Sequence, residues 1–134
     1  MTELVVSSIV LAVLVAGSGL LVMWIARSAA NGGIGVNVVA GIRTSATTAT
    51  DETWRLAHEV GEKPTWWGGL LFAIGGVLAG VNALLLVMGL VDEPTGSTIL
   101  AVVMGVAVAG GTGLVCYGGV RGHRAAKELL ESGV

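Results

Sequence analysis

The sequence is poor in most of what a soluble enzyme draws on. Its one cysteine, Cys116, excludes an intrachain disulfide and a thiolate metal cage. There are two prolines, one Phe and one Tyr, and charged residues make up only 12% of the 134-residue chain. A globular domain usually carries about twice that charged share. A formal net charge of -2 offers no electrostatic footprint for nucleic acid. No HExxH or GxSxG occurs, so the pattern calls for neither an enzyme nor a cofactor or metal. Asn31-Gly32-Gly33-Ile34-Gly35 does not complete a phosphate-binding GxGxxG, because Val38 stands at the last glycine position.

What the chain has in abundance is uninterrupted hydrophobic sequence. Hydrophobic residues are 54% of it, and the mean hydropathy is +0.86. Asp, Glu, Lys, Arg and His are absent from Leu4–Ile25, Trp66–Val91 and Thr98–Val120, runs of 22, 26 and 23 residues. About 20 suffice to cross a bilayer. These runs predict one all-α membrane domain over 1–134, with spans at 4–26, 66–91 and 98–120, an outer turn at 92–97 and a tail at 121–134. The first run has no basic residue ahead of it, its first charge being Glu3, so it reads as a span rather than a leader cleaved near Ala26–Ala29.

Lys and Arg set the expected orientation. Arg27, Arg43, Arg55 and Lys63 lie between the first two spans, and Arg121, Arg124 and Lys127 follow the third. The positive-inside rule then places the N-terminus outside and the 27–65 loop and C-terminus in the cytoplasm, in a membrane crossed several times. Trp24, Trp66, Trp67 and Tyr117 fall at that same boundary, where amphipathic rings are favoured.

Small residues recur every fourth position in the spans: Ser8, Ala12 and Ala16; Gly76 and Gly80; Ala101, Gly105, Ala109 and Gly113. Such columns let helix backbones approach closely, either within the chain or against another membrane protein subunit. Asn82 is the most polar side chain inside a span and calls for an interhelical hydrogen bond.

In the 27–65 loop, Thr50 reads as an N-cap ahead of Asp51 and Glu52, and Gly61 and Pro64 read as stop signals. This predicts a short amphipathic helix over 51–60 on the cytoplasmic membrane surface, with Trp54 and His58 on one face. Glu59 and Glu62 are placed off that face. His58 then anchors the helix by packing and hydrogen bonding. Arg43 either meets a lipid headgroup or a partner's carboxylate, or ties the loop to backbone carbonyls.

Asn37, Gly41-Ile42-Arg43-Thr44, Thr47, Trp54 and His58, at this spacing between spans, resemble the signature of the SdpI family of small bacterial integral membrane proteins. Ser45 and Ala46 stand where that family often has Pro-Trp, and Glu59 where a basic residue commonly follows the histidine. The resemblance implies a non-enzymatic protein, whose namesake gives immunity to a secreted toxin and sequesters a repressor at the membrane. The expected function is thus an immunity, signalling or protein-interaction module, with a cytoplasmic protein docking on the 27–65 loop. The alternative is an accessory subunit of a larger respiratory, transport or envelope-building complex.

Overall fold

Three uncharged runs become three long helices: α1 (Thr2–Ala30), α2 (Asp51–Val87) and α3 (Glu93–Glu131). The computed structural model describes residues 1–133; Val134, the last residue of the expected tail, lies outside the described residues. Among the described residues there is no strand. All three helices are long and apolar enough to cross a membrane. Within α1, Ser7 and Ser18 turn their hydroxyls back onto the carbonyls of Glu3 and Leu14, at 2.8 and 2.7 Å. Neither hydroxyl is left bare in the apolar face.

The separate surface helix expected over 51–60 is not present. Its start is as read: the Thr50 hydroxyl accepts from the Thr53 amide at 3.1 Å, and the Thr53 hydroxyl accepts from the Thr50 amide at 3.0 Å, a reciprocal capping box. The helix then runs straight through both stop signals into the second span. Gly61 does not cap anything. Its missing side chain lets α2 approach α3, since a methyl group there would lie 2.8 Å from the Gly118 carbonyl oxygen and 2.7 Å from Ile42 Cδ1. Pro64 removes one amide donor, a loss of about 3 kcal/mol in a helix interior. Close packing on both sides of it, Gly61 on Gly118 and Gly68 on Gly111, outweighs that local preference. Residues 51–65 therefore carry α2 roughly 22 Å beyond its uncharged stretch.

The second span closes earlier than its hydrophobic run. After Met88 the chain turns at Gly89 (φ +67°), and Leu90 and Gly89 donate to the carbonyls of Leu85 and Leu86 at 3.0 and 3.1 Å, a Schellman cap. Asp92, expected inside a turn running to residue 97, instead caps α3 by accepting from the Thr95 amide at 3.1 Å, with Pro94 in the first helical turn.

α2 lies between α1 and α3, which scarcely touch each other. The column Ser8, Ala12 and Ala16 packs on α2: a methyl group at Gly76 would lie 2.6 Å from Ala16 Cβ and 2.7 Å from the Ala12 carbonyl oxygen. Gly80 faces Ala12 Cβ more loosely, at 3.6 Å. Asn82 donates to the Gly96 carbonyl at 3.1 Å and reaches Ser8 Oγ at 3.4 Å, touching both neighbouring helices. The third column does not pack within the chain. Ala101, Gly105, Ala109 and Gly113 are all exposed, and a methyl group at Gly105 or Gly113 would meet nothing within 4 Å. The reason is that α3 has one neighbour and buries one face, through Gly96, Ala107, Gly111, Gly118, Gly122 and Ala126.

At the Lys- and Arg-rich end, Arg27 stacks over the Trp66 ring at 4.8 Å and Arg121 over Tyr117 at 5.8 Å. Charge and ring share one level there, as they do at a headgroup boundary.

Candidate functional site: the loop docked on the two long helices

Residues 31–50 are irregular, yet nearly every residue of the sequence signature holds them in place. Asn37 makes the first turn by itself. Its amide donates to the carbonyls of Gly35 and Ala40 at 2.9 and 3.1 Å, and its Oδ1 accepts from the amides of Val39 and Ala40 at 2.8 and 2.7 Å. This turn presents Val38 and Val39 at 79% and 86% exposure, more than any lipid-facing valine of the helices.

Trp54 and His58, four residues apart on α2, are both 3% exposed, with ring centroids 4.2 Å apart. Trp54 Nε1 donates to the Ile34 carbonyl at 2.9 Å. His58 Nδ1 lies 2.7 Å from the Trp54 carbonyl oxygen, which can only accept, so Nδ1 carries the proton. Nε2 then accepts from the Ile42 amide at 2.8 Å. This arrangement demands a neutral imidazole. Burial lowers its pKa from the ordinary 6.5, against the opposing pull of the Trp54 carbonyl, and so favours that form.

Gly41 crosses directly over the two rings at φ +109°. A methyl group on it would sit 2.5 Å from His58 Nε2 and 2.8 Å from Trp54 Cη2. The next residue, Ile42, drives its Cδ1 between Gly61 of α2 and Gly122 of α3. Thr47, fully buried, closes the turn: its hydroxyl accepts from the Thr44 amide at 2.8 Å and donates to the Ile42 carbonyl at 2.7 Å. Ala46 packs on Ala57 and Ala126, so three small side chains close the contact between the loop, α2 and α3. Arg43 alone among the signature residues points away: it is exposed and forms no hydrogen bond or ion pair among the described residues.

Sequence reasoning missed His123. Its Nδ1 lies 2.9 Å from Thr44 Oγ1, linking α3 to the loop across 79 positions. No local pattern announces a contact of that length. It also misplaced Glu62, which stands four residues from His58 and lines the same cavity, as i,i+4 spacing requires.

Three membrane-length helices with a polar loop pinned across one end of the second and third define an integral membrane protein with a built extramembrane face. The chain belongs to the SdpI/YfhL protein family, whose model matches residues 33–117. The match covers the loop, α2 and most of the apolar part of α3; His123 lies beyond it. Comparison with curated proteins and with solved structures finds no match.

Proposed function

We propose that this protein is a non-enzymatic, SdpI-like interaction module whose docked loop is read by a protein partner in toxin immunity or signalling. The observation that carries this reading is the division of labour in the signature. Asn37, Gly41, Ile42, Thr44, Thr47, Trp54 and His58 hold the loop, whereas Arg43 and the Val38–Val39 tip face outward and uncommitted. With both ring nitrogens engaged, His58 has no lone pair free to act as a base. The charge asymmetry supports a cytoplasmic loop in a bacterial inner membrane, so the partner is a cytoplasmic protein or another membrane protein at that side.

The test is deletion of the gene followed by challenge with native envelope-active toxins and a transcript profile. The reading expects altered sensitivity or altered transcription, not restored by Arg43→Ala or by a Val38→Ser/Val39→Ser pair at wild-type protein levels. Unchanged sensitivity together with an unchanged profile overturns it. The second reading, an accessory subunit, draws on one specific observation: the exposed Ala101, Gly105, Ala109 and Gly113 column on α3. It expects a stoichiometric membrane partner in mild detergent, released by Gly105→Leu and Gly113→Leu. A homogeneous species of this chain alone counts against it.

A further inference from the structure

Where the uncharged runs meet the Lys- and Arg-rich end, α1, the loop, α2 and α3 line a half-open cavity of about 260 Å³. Its walls are mainly apolar, built by Val22 and Ile25 of α1, Ile42 of the loop and Val115 of α3. The charged residue that lines it is Glu62. His58 also borders it, but both of its nitrogens are already bonded. The Thr65 hydroxyl is buried without a partner, but it lies against Gly118 in the contact between α2 and α3. Glu62 is partly buried and makes no ion pair or hydrogen bond among the described residues.

Depth narrows the choice of occupant. Glu62 lies four residues, about 6 Å, beyond Trp66, where the uncharged stretch of α2 begins. The headgroup layer is roughly 5–7 Å thick on each side of a bilayer. A carboxylate among apolar walls is costly unless a cation meets it. The cavity volume is just below the small-molecule range of roughly 300–1,000 Å³, enough for a charged head and a few carbons but not a lipid tail. We propose that this cavity binds a primary ammonium group on a short apolar stem, with Glu62 as counter-ion and Val22, Ile25, Ile42 and Val115 packing the stem. A lipid headgroup and a soluble amine share that chemistry.

The experiment uses the full chain in phosphatidylglycerol nanodiscs, which contain no ammonium headgroup. n-Hexylammonium and n-hexanol are titrated at pH 7.5, following tryptophan fluorescence and the thermal midpoint. Hexylammonium is expected to bind saturably and at least about tenfold tighter than hexanol, a preference that Glu62→Gln abolishes. Gly119 borders the cavity, and a methyl group there would meet nothing within 4 Å, so Gly119→Leu fills the space and removes binding of both compounds with Glu62 intact. Equal affinity for the two compounds, an unchanged preference in Glu62→Gln, or wild-type binding in Gly119→Leu overturns the proposal. If lipid is the natural source, phosphatidylethanolamine in the nanodiscs weakens hexylammonium binding by competition. An unchanged affinity there assigns the site to a soluble amine.

Discussion

His58 makes two hydrogen bonds to backbone groups and satisfies both only while neutral. Protonating Nε2 would set one donor against another at the Ile42 amide. The acidic side chain lining the same cavity is Glu62; no titratable side chain of α1 or α3 lines it. Because burial lowers the folded pKa, the undocked loop binds more protons between the folded value and 6.5. The docking energy is therefore complete above pH 6.5 and declines as pH falls through that window. Hydrogen exchange at the Ile42 amide should show protection constant from pH 8 to about 6.5, after correction for intrinsic rate, and falling below it. In His58→Ala the protection should be weak at every pH, since the amide loses its acceptor, a change of about 1–3 kcal/mol. Gly41→Ala attacks the same contact from the loop side, with a positive φ and a methyl group forced onto both rings. It should undock the loop at about 1–3 kcal/mol, read as faster tryptic cleavage after Arg43. The pattern marked these residues from the sequence. An anchoring role for His58 was legible there as well; the partners were not, because those of Trp54 and His58 are backbone atoms of Ile34 and Ile42 brought in from the loop.

At the scale of the helix, the same glycine can be a stop signal or a packing surface, and the sequence does not say which. Gly61 followed by Pro64 has the composition of a helix end, yet α2 passes through both because α3 lies within backbone contact at Gly118. The start of α2 was legible, since Thr50 caps through its own side chain within three residues; Asp92 caps α3 in the same way, but its turn-like neighbours Pro94, Gly96 and Ser97 hid that start. The glycine ambiguity yields a paired prediction. Gly61→Leu should separate α2 from α3 and displace Ile42, lowering the thermal midpoint in detergent by an amount equivalent to about 1–3 kcal/mol. Gly113→Leu places the same side chain on the open face of α3 and should leave the midpoint nearly unchanged. Equal losses in both would mean that Gly113 also faces a packed surface, either α2 or a second molecule.

For the molecule as a whole, the number of spans was legible because a bilayer imposes a length and a charge rule that any reader can apply. The arrangement of the helices was not, since periodic small residues occur on faces that pack and on faces that do not. What the completed fold adds is vertical asymmetry. One end carries the loop, the extended portions of α2 and α3 and all seven Lys and Arg residues; the other carries Glu3, Asp92 and Glu93 as its charged side chains, with the Met1 ammonium paired to Glu93. Moving the basic end across the membrane would require translocating every Lys and Arg in the chain together with a folded loop, whereas the opposite end presents the N-terminus and a five-residue connection from Met88 to Asp92. The inferred topology is therefore strongly one-sided and directly testable. In a Cys116→Ala background, Ser97→Cys, exposed in the second turn of α3 just after the short connection, should react with a membrane-impermeant maleimide in intact cells. Ser45→Cys, exposed on the docked loop, should react only after the membrane is opened. The reverse labelling would overturn the cytoplasmic placement of the loop and with it a cytoplasmic partner. Labelling of both sites in intact cells would mean that the chain inserts in two orientations, and the seven charges would then not be what fixes it.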